Sequence, residues 1–153
     1  MDAVVEFLQR VPSEIRRVGG SVVRRAGLFA LALLLNVGFY LPSIPDGVPG
    51  AGVPGMDKVV HLLVFALTVL AAGRLLAPRT RFPMGWVVIV ALVHALLIEL
   101  VQLVTLSQRS GDGVDVLFDV LGIVLGVVGW SWLRHRDRAA MSLPQQMSPT
   151  PSS

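Results

Sequence analysis

The sequence predicts an all-α membrane protein, a four-transmembrane-helix bundle with an amphipathic helix at its N-terminus. The 153 residues are 54% hydrophobic and 15% charged, whereas a soluble domain is about 25% charged. Four apolar runs have lengths near or above the roughly 20 residues that a helix needs to cross a bilayer. Basic residues collect beside those runs on one side, which is the pattern of a multi-pass membrane protein.

Residues that end helices separate the four apolar runs. The runs cover residues 26–41, 59–77, 84–106 and 114–133, and Val22 and Val23 can extend the first. Prolines follow the first and second runs, and the polar stretch "SQRSGDG" precedes the fourth. Both features are typical of helix ends and turns. We therefore assign residues 22–136 to one membrane domain of four helices.

The segments on either side of this domain differ in composition. In residues 1–21, apolar side chains recur at helical spacing among charged ones, which predicts an amphipathic helix on the inner membrane surface. Residues 137–153 include "SLPQQMSPTPSS" and are predicted to form a disordered cytoplasmic tail. Arg24 and Arg25 before an apolar run also resemble the start of a secretory signal peptide. No convincing small-residue cleavage site follows, so we interpret that run as a transmembrane helix.

The basic residues predict the orientation. Eleven of the thirteen lysines and arginines precede the first run, join the second to the third, or follow the fourth, and so share one side. The positive-inside rule makes that side, and both termini, cytoplasmic. Because these arginines act as topology signals, the net charge of +3 does not indicate nucleic-acid binding. The chain has no cysteine, which excludes disulfides, thiolate zinc sites and thiol nucleophiles.

Ionisable side chains gather at the opposite, outward end of two predicted helices. The second run begins with Asp57, Lys58 and His61. The fourth begins with Asp115 and Asp119, which share a face because they are four residues apart. The two helices therefore bring acids, a base and a histidine to the same depth.

The other two helices and one loop add polar groups at this depth. Glu99 and Gln102 lie near the outer end of the third run, three residues apart on one face. Arg109 lies in the loop that follows them. Asn36 and Tyr40, one turn apart near the end of the first run, reach the same layer.

The outer position of these groups predicts a functional site rather than polar contacts that the fold needs for its stability. A carboxylate near the bilayer centre costs about 2.5–3.5 kcal/mol, and such residues usually face the bundle interior and form a site or a pathway. We expect them to converge on one outward-opening pocket. Polar contacts that only hold helices together are the structural alternative. His94 lies deeper and on a different face from Glu99, so we interpret it as a packing residue.

A stripe of glycines continues below the acids of the fourth run. The residues on this stripe are Asp115, Asp119, Gly122, Gly126 and Gly129. Small residues at four-residue spacing permit close approach of a neighbouring helix. We expect the second run to be one of the facing helices.

Three segments together resemble the VanZ-like family of small bacterial membrane proteins: "DKVVHLLVFALTVLAA", "LIELVQL" and "SQRSGDGVDVLFDVLGIVLG". The resemblance is strongest over residues 56–128. The positions that fit the family pattern are Asp57, Lys58, His61, Glu99, Gln102, Arg109, Asp115, Gly122 and Gly126. Asp119 stands where that pattern has asparagine, which adds a negative charge. The resemblance implies a bacterial cell membrane and, for some members, resistance to the glycopeptide antibiotic teicoplanin.

One functional interpretation is an enzyme acting on an envelope lipid or lipid-linked precursor at the outer leaflet. His61 or Glu99 would be the general acid or base. The candidate catalytic residues are His61, Glu99, Asp115 and Asp119, where the two aspartates orient the base or bind a divalent cation. The candidate substrate-binding residues are Asp57, Lys58, Gln102 and Arg109, where the two cations hold a phosphate or carboxylate.

Two further interpretations stay open. The same groups suit a non-catalytic protein that sequesters an anionic headgroup or an antibiotic, or that assists a partner protein. A proton or ion pathway is disfavoured because the inner halves of the runs lack a continuing series of polar residues. No motif requires a cofactor, and the sequence leaves the metal and the oligomeric state unassigned.

Overall fold

A computed structural model describes residues 21–41, 53–76, 82–105 and 113–142 of the chain. They form four long helices: α1 (Val22–Val37), α2 (Met56–Leu76), α3 (Phe82–Thr105) and α4 (Gly113–Ser142). A 3-10 turn at Gly38–Tyr40 continues α1. Each helix, α1 together with its turn, is long and apolar enough to cross a membrane, and the described ranges contain no strand. The predicted all-α, four-helix membrane class is confirmed.

The two predicted flanking segments are only partly described. The predicted amphipathic helix lies outside the described residues except for Ser21, whose hydroxyl caps α1 by accepting from the Arg24 amide at 3.5 Å. At the other end, α4 continues to Ser142, six residues into the segment that we assigned to the tail. The apolar run marks where the membrane crossing ends, whereas the alanines and arginines that follow it still favour a helix.

Successive helices run in opposite directions. Arg25 Nη1, in the first turn of α1, donates to the carbonyl of Arg74 in the last turn of α2 at 3.2 Å. Lys58 at the start of α2 lies 3.3 Å from Asp115 at the start of α4. The bundle therefore has a polar end, formed by the end of α1 and the starts of α2 and α4, and an arginine end opposite to it.

The predicted close approach of α4 to α2 is present. A Cβ atom at Gly122 would collide with the carbonyl oxygen of Leu62, and one at Gly126 would lie 2.7 Å from that of Ala66. The helix backbones are thus in direct contact along the glycine stripe, as small residues in membrane helices permit. We call this contact the glycine seam.

The helix surfaces that face away from the bundle are apolar. On α3, Leu96, Leu100 and Leu103 are between 56% and 70% exposed. Hydrocarbon is a suitable surrounding for such a surface, whereas monomeric soluble proteins rarely expose apolar patches of this extent.

Candidate functional site

Two polar pairs cross the glycine seam at the polar end, one above the other. In the upper pair, Lys58 Nζ donates to Asp115 Oδ1 at 3.3 Å and to Asp57 Oδ2 at 3.2 Å. In the lower pair, His61 Nδ1 and Asp119 Oδ1 are 2.8 Å apart. We call these five residues the ion-pair cluster.

The position of the cluster follows from helical spacing. His61 is three residues after Lys58 on α2, and Asp119 is four after Asp115 on α4, so each helix presents its two members on one face. The next turn of α4 carries Gly122, where the backbones touch. Close backbones allow the short aspartate side chains to reach across to α2.

The lower pair is the more buried of the two. His61 is 3% exposed and Asp119 is 1% exposed, whereas the Lys58 side chain is 26% exposed. The ring of Phe39 covers the imidazole, with the two ring centroids 4.2 Å apart. A buried polar group needs a hydrogen-bond partner, and the imidazole provides one for Asp119.

The geometry of the lower pair defines the chemistry of the imidazole. A carboxylate accepts hydrogen bonds, so the proton of a neutral His61 belongs on Nδ1, next to Asp119. Nε2 then carries the lone pair and can accept a proton. A carboxylate in this position fixes the tautomer and stabilises the imidazolium that forms, as it does in serine protease triads.

The residues predicted on α3 are less directly placed at the cluster. Gln102 is 3% exposed, and its Nε2 donates to the main-chain carbonyl of Phe39 at 3.1 Å. It therefore fixes the turn that carries the ring over His61. Glu99 is half-buried on the same face of α3, one turn earlier. Arg109 lies outside the described residues.

A second polar network, which the sequence did not predict, crosses three helices deeper in the bundle. Its members are Tyr40 and Asn36 of α1 and its turn, Thr68 of α2 and His94 of α3. The Tyr40 hydroxyl lies 3.4 Å from His94 Nδ1, and His94 Nε2 lies 3.1 Å from Asn36 Oδ1. We call these four residues the neutral network.

The hydrogen bonds of the neutral network have one consistent direction. Asn36 Nδ2 donates to Thr68 Oγ1 at 2.8 Å and to a carbonyl one turn earlier in α1 at 2.7 Å, so its Oδ1 is the acceptor for His94. His94 Nε2 is then the donor and Nδ1 accepts from Tyr40. The Thr68 hydroxyl itself donates a hydrogen bond to a carbonyl one turn earlier in α2. Our interpretation of His94 as a packing residue therefore missed a hydrogen-bonding role.

The described helices do not bring together a metal site. Within residues 21–41, 53–76, 82–105 and 113–142, no three side chains of His, Cys, Asp or Glu are grouped so that they could hold an ion. In this part of the chain, Asp115 and Asp119 are instead engaged by Lys58 and His61.

The fold and the ion-pair cluster define a multi-pass membrane protein with ionisable side chains buried between its helices. A family model described as VanZ/LLP1 matches residues 4–134, which include α1, α2, α3 and most of α4. The chain belongs to the VanZ/LLP1 family, and the resemblance found in its motifs is confirmed. No curated protein and no solved structure matches the chain.

Proposed function

We propose that this protein acts on an envelope lipid or lipid-linked precursor at the outer face of the bacterial plasma membrane. The observation that carries the proposal is the buried contact of 2.8 Å between His61 and Asp119, beside the Lys58–Asp115 pair. Ionisable groups among membrane helices are costly and usually mark a site. Histidine is also the most frequent general base in enzymes, and here an acid holds it in place.

In this proposal, His61 Nε2 removes a proton from water or from a substrate hydroxyl as that oxygen attacks the substrate. Asp119 stabilises the imidazolium, which then returns the proton to the leaving oxygen. Lys58 is half-buried at the open side of the cluster, where it can hold a phosphate or carboxylate together with Arg109. Glu99 is the second candidate acid or base. Acyl, glycosyl and phosphoryl transfer all use these roles.

The burial of the lower pair favours a second candidate function. His61 and Asp119 are nearly inaccessible, whereas a base must come within hydrogen-bonding distance of the group that it deprotonates. If the pair only fixes the geometry, Lys58 and Arg109 bind an anionic headgroup without transforming it. This protein would then be a binder or a partner protein in the membrane.

The orientation is part of the proposal and has its own test. Arginine counting places both termini in the cytoplasm and the polar end outside. Because the chain lacks cysteine, single cysteines can report accessibility directly. Cysteine at Gly50 or Ser110 should react with an impermeant thiol reagent in intact cells, and cysteine at Thr80 should react only after permeabilisation. The opposite labelling pattern would put the cluster on the cytoplasmic side.

Profiling of lipids and envelope precursors tests the function. We compare cells with the wild type, no protein, His61→Gln, Asp119→Asn and Glu99→Gln. His135→Gln is the matched control, because His135 is exposed near the end of α4 at the arginine end. Growth with teicoplanin is measured in the same strains, since the family resemblance implies this phenotype for some members.

The three interpretations give different results. An enzyme shifts the pool of at least one lipid, and the shift is lost in His61→Gln while His135→Gln keeps it. Unchanged pools, with direct binding of an anionic lipid that needs Lys58, select the binder. If the site variants accumulate poorly and each remaining molecule is as active as the wild type, the cluster is structural and the proposed site is wrong.

A further inference from the structure

The ring of Phe39 lies over the His61 imidazole, with the two ring centroids 4.2 Å apart, and both residues are only 3% exposed. One turn earlier on α2, the side chains of Lys58 and Asp57 are 26% and 46% exposed. The accessible surface of the polar end is therefore a single helical turn, roughly 5 Å, from His61. A general base must contact the group that it deprotonates, so a substrate can reach His61 only if its cover moves.

Two side chains of α3 hold the turn that carries Phe39. Gln102 Nε2 donates to the main-chain carbonyl of Phe39 at 3.1 Å. The hydroxyl of the next residue, Tyr40, contacts His94 Nδ1 at the longer distance of 3.4 Å. Since both contacts run from the turn to α3, a turn that moves away from His61 has to break them. In the closed position, α3 thus fixes the ring over the imidazole.

The backbone of the turn Gly38–Tyr40 adds little to this restraint. A 3-10 helix has poorer hydrogen-bond geometry than an α-helix, and the bond from the Leu41 amide to the Gly38 carbonyl is 3.4 Å long. The turn also begins with a glycine, which has access to more backbone conformations than any other residue. Gly38 is therefore the position at which the chain can change direction while α1 keeps its place.

The packing between α1 and α3 also permits such a movement. The two helices approach each other mainly through the turn. Below it they are separated by a cavity of about 350 Å³, whose walls include Leu33 of α1 and Val90 of α3. Moving the turn therefore disrupts little other packing between these two helices.

We propose that Phe39 is a gate over His61, that Gly38 is its hinge, and that Gln102 holds it closed. Opening moves the ring off the imidazole, so that the substrate oxygen can reach Nε2. The inference rests on the proposed function, which makes His61 the base. It gives Gln102 a positioning role in place of the substrate contact predicted from the sequence, and it explains how a buried base meets its substrate.

Chemical modification of histidine measures access to His61 without any substrate. Diethyl pyrocarbonate attaches an ethoxycarbonyl group to an accessible, unprotonated imidazole. The chain has three histidines, and mass spectrometry of peptides from the purified full chain in detergent micelles separates them. His135 is exposed and serves as the internal reference. The rate at His61 divided by that at His135 reports how often the gate is open.

Two variants should change this relative rate in opposite directions. Phe39→Leu removes the covering ring and should raise the rate at His61 at least tenfold. Gly38→Ala should lower it about two- to fivefold, because alanine restricts the conformations that an open hinge can adopt. The closed hinge accepts alanine, since its φ of −57° and ψ of −27° are helical and no atom lies within 4 Å of a Cβ there.

Each variant has a matched control. Phe65→Leu makes the same substitution at the buried ring one turn below His61 and should change the relative rate less than twofold. Gly27→Ala places alanine at another glycine of α1 that has no atom within 4 Å of a Cβ, and it should leave the rate unchanged. These controls separate opening of the gate from general loosening or stiffening of the bundle.

The role of Gln102 is tested by removing its hydrogen bond. Gln102→Leu should raise the relative rate at His61 at least threefold, and adding Gly38→Ala to it should restore part of the protection. This variant also gives a second measurement of opening if Phe39→Leu does not fold. An unchanged rate in folded Gln102→Leu would contradict the proposal that this residue holds the gate closed.

The gate and the proposed function can fail separately. Equal rates in Phe39→Leu and Phe65→Leu, or in Gly38→Ala and Gly27→Ala, would overturn the gate whatever His61 does chemically. A lipid profile that His61→Gln leaves unchanged would overturn the enzyme, whereas the modification rates would still report whether Phe39 controls access.

Discussion

The glycine seam and the gap between α1 and α3 are the tightly packed and the loosely packed interface of one bundle. Along the seam, α4 lies so close to α2 that a single Cβ at Gly122 would meet the backbone of the partner helix. Between α1 and α3, contact is concentrated at the polar end and a cavity of about 350 Å³ follows. The Lys58–Asp115 ion pair and the contact between His61 and Asp119 cross the tight interface, whereas a neutral hydrogen bond between Asn36 and His94 spans the loose one.

This difference indicates that the polar pairs across the seam require the close approach of the two helix backbones. Aspartate has a short side chain, and Asp119 reaches His61 only because the two helices are in contact one turn below. A charge in the looser interface would face hydrocarbon, which is costly. The neutral network holds α1 and α3 together there without placing a formal charge beside the cavity.

The largest effect is expected from adding a methyl group to the glycine seam. Gly122→Ala forces α2 and α4 apart, and overpacking of this kind costs about 1–3 kcal/mol in the free energy of unfolding. Gly27→Ala is the matched control, because no atom lies within 4 Å of a Cβ at Gly27. That control should stabilise α1 by about 0.5–1 kcal/mol, the usual difference between alanine and glycine in a helix.

Unfolding by sodium dodecyl sulfate in mixed micelles, followed by circular dichroism, measures both changes. The control shows what the exchange of glycine for alanine does in a helix without a close neighbour. Equal midpoints for Gly122→Ala and Gly27→Ala would mean that the seam accepts a side chain and that the ion-pair cluster does not depend on it.

A smaller effect is expected from breaking the neutral network at Thr68. Thr68→Val keeps the shape of the side chain but removes the acceptor for Asn36 Nδ2, which is 2.8 Å away. Hydrogen bonds between membrane helices contribute about 0.6 kcal/mol on average, with a maximum near 1.7, so the loss should fall in that range. Thr68→Ser keeps the hydroxyl and should lose less than half as much. Identical losses in the two variants would assign the effect to packing.

The sequence predicted the helices and the glycine seam because both leave local signals. Long apolar runs identify the crossings, and acids followed by glycines on one face of α4 identify the side that meets α2. The spacing of Asp115 and Asp119 also predicted that they act together. It did not determine that Lys58 pairs with Asp115 and His61 with Asp119, since the register between helices is a tertiary property.

Two features could not be predicted from the sequence for a different reason. Gln102 binds a main-chain carbonyl, that of Phe39, and a carbonyl is present at every residue. The role of His94 depends on which helix faces the deeper side of α3, and the buried small pair Ala91 and Ala95, four residues apart, does not say which helix that is. Asn36 and Tyr40, one turn apart on α1, were the available signal, and only the structure connects them to His94.

The smallest effect on stability is expected at the exposed edge of the seam. Lys58→Met keeps the length of the side chain and removes its contacts with Asp57 and Asp115. Because Lys58 is partly exposed, the loss in the free energy of unfolding should be smaller than that of Thr68→Val. This loss should also decrease as the salt concentration rises from 0.01 to 1 M, since the distance over which charges interact then falls from about 30 to 3 Å. The same variant should lose binding of an anionic headgroup under the proposed function. A large loss of stability that salt does not reduce would instead place Lys58 among the buried structural pairs, together with His61 and Asp119.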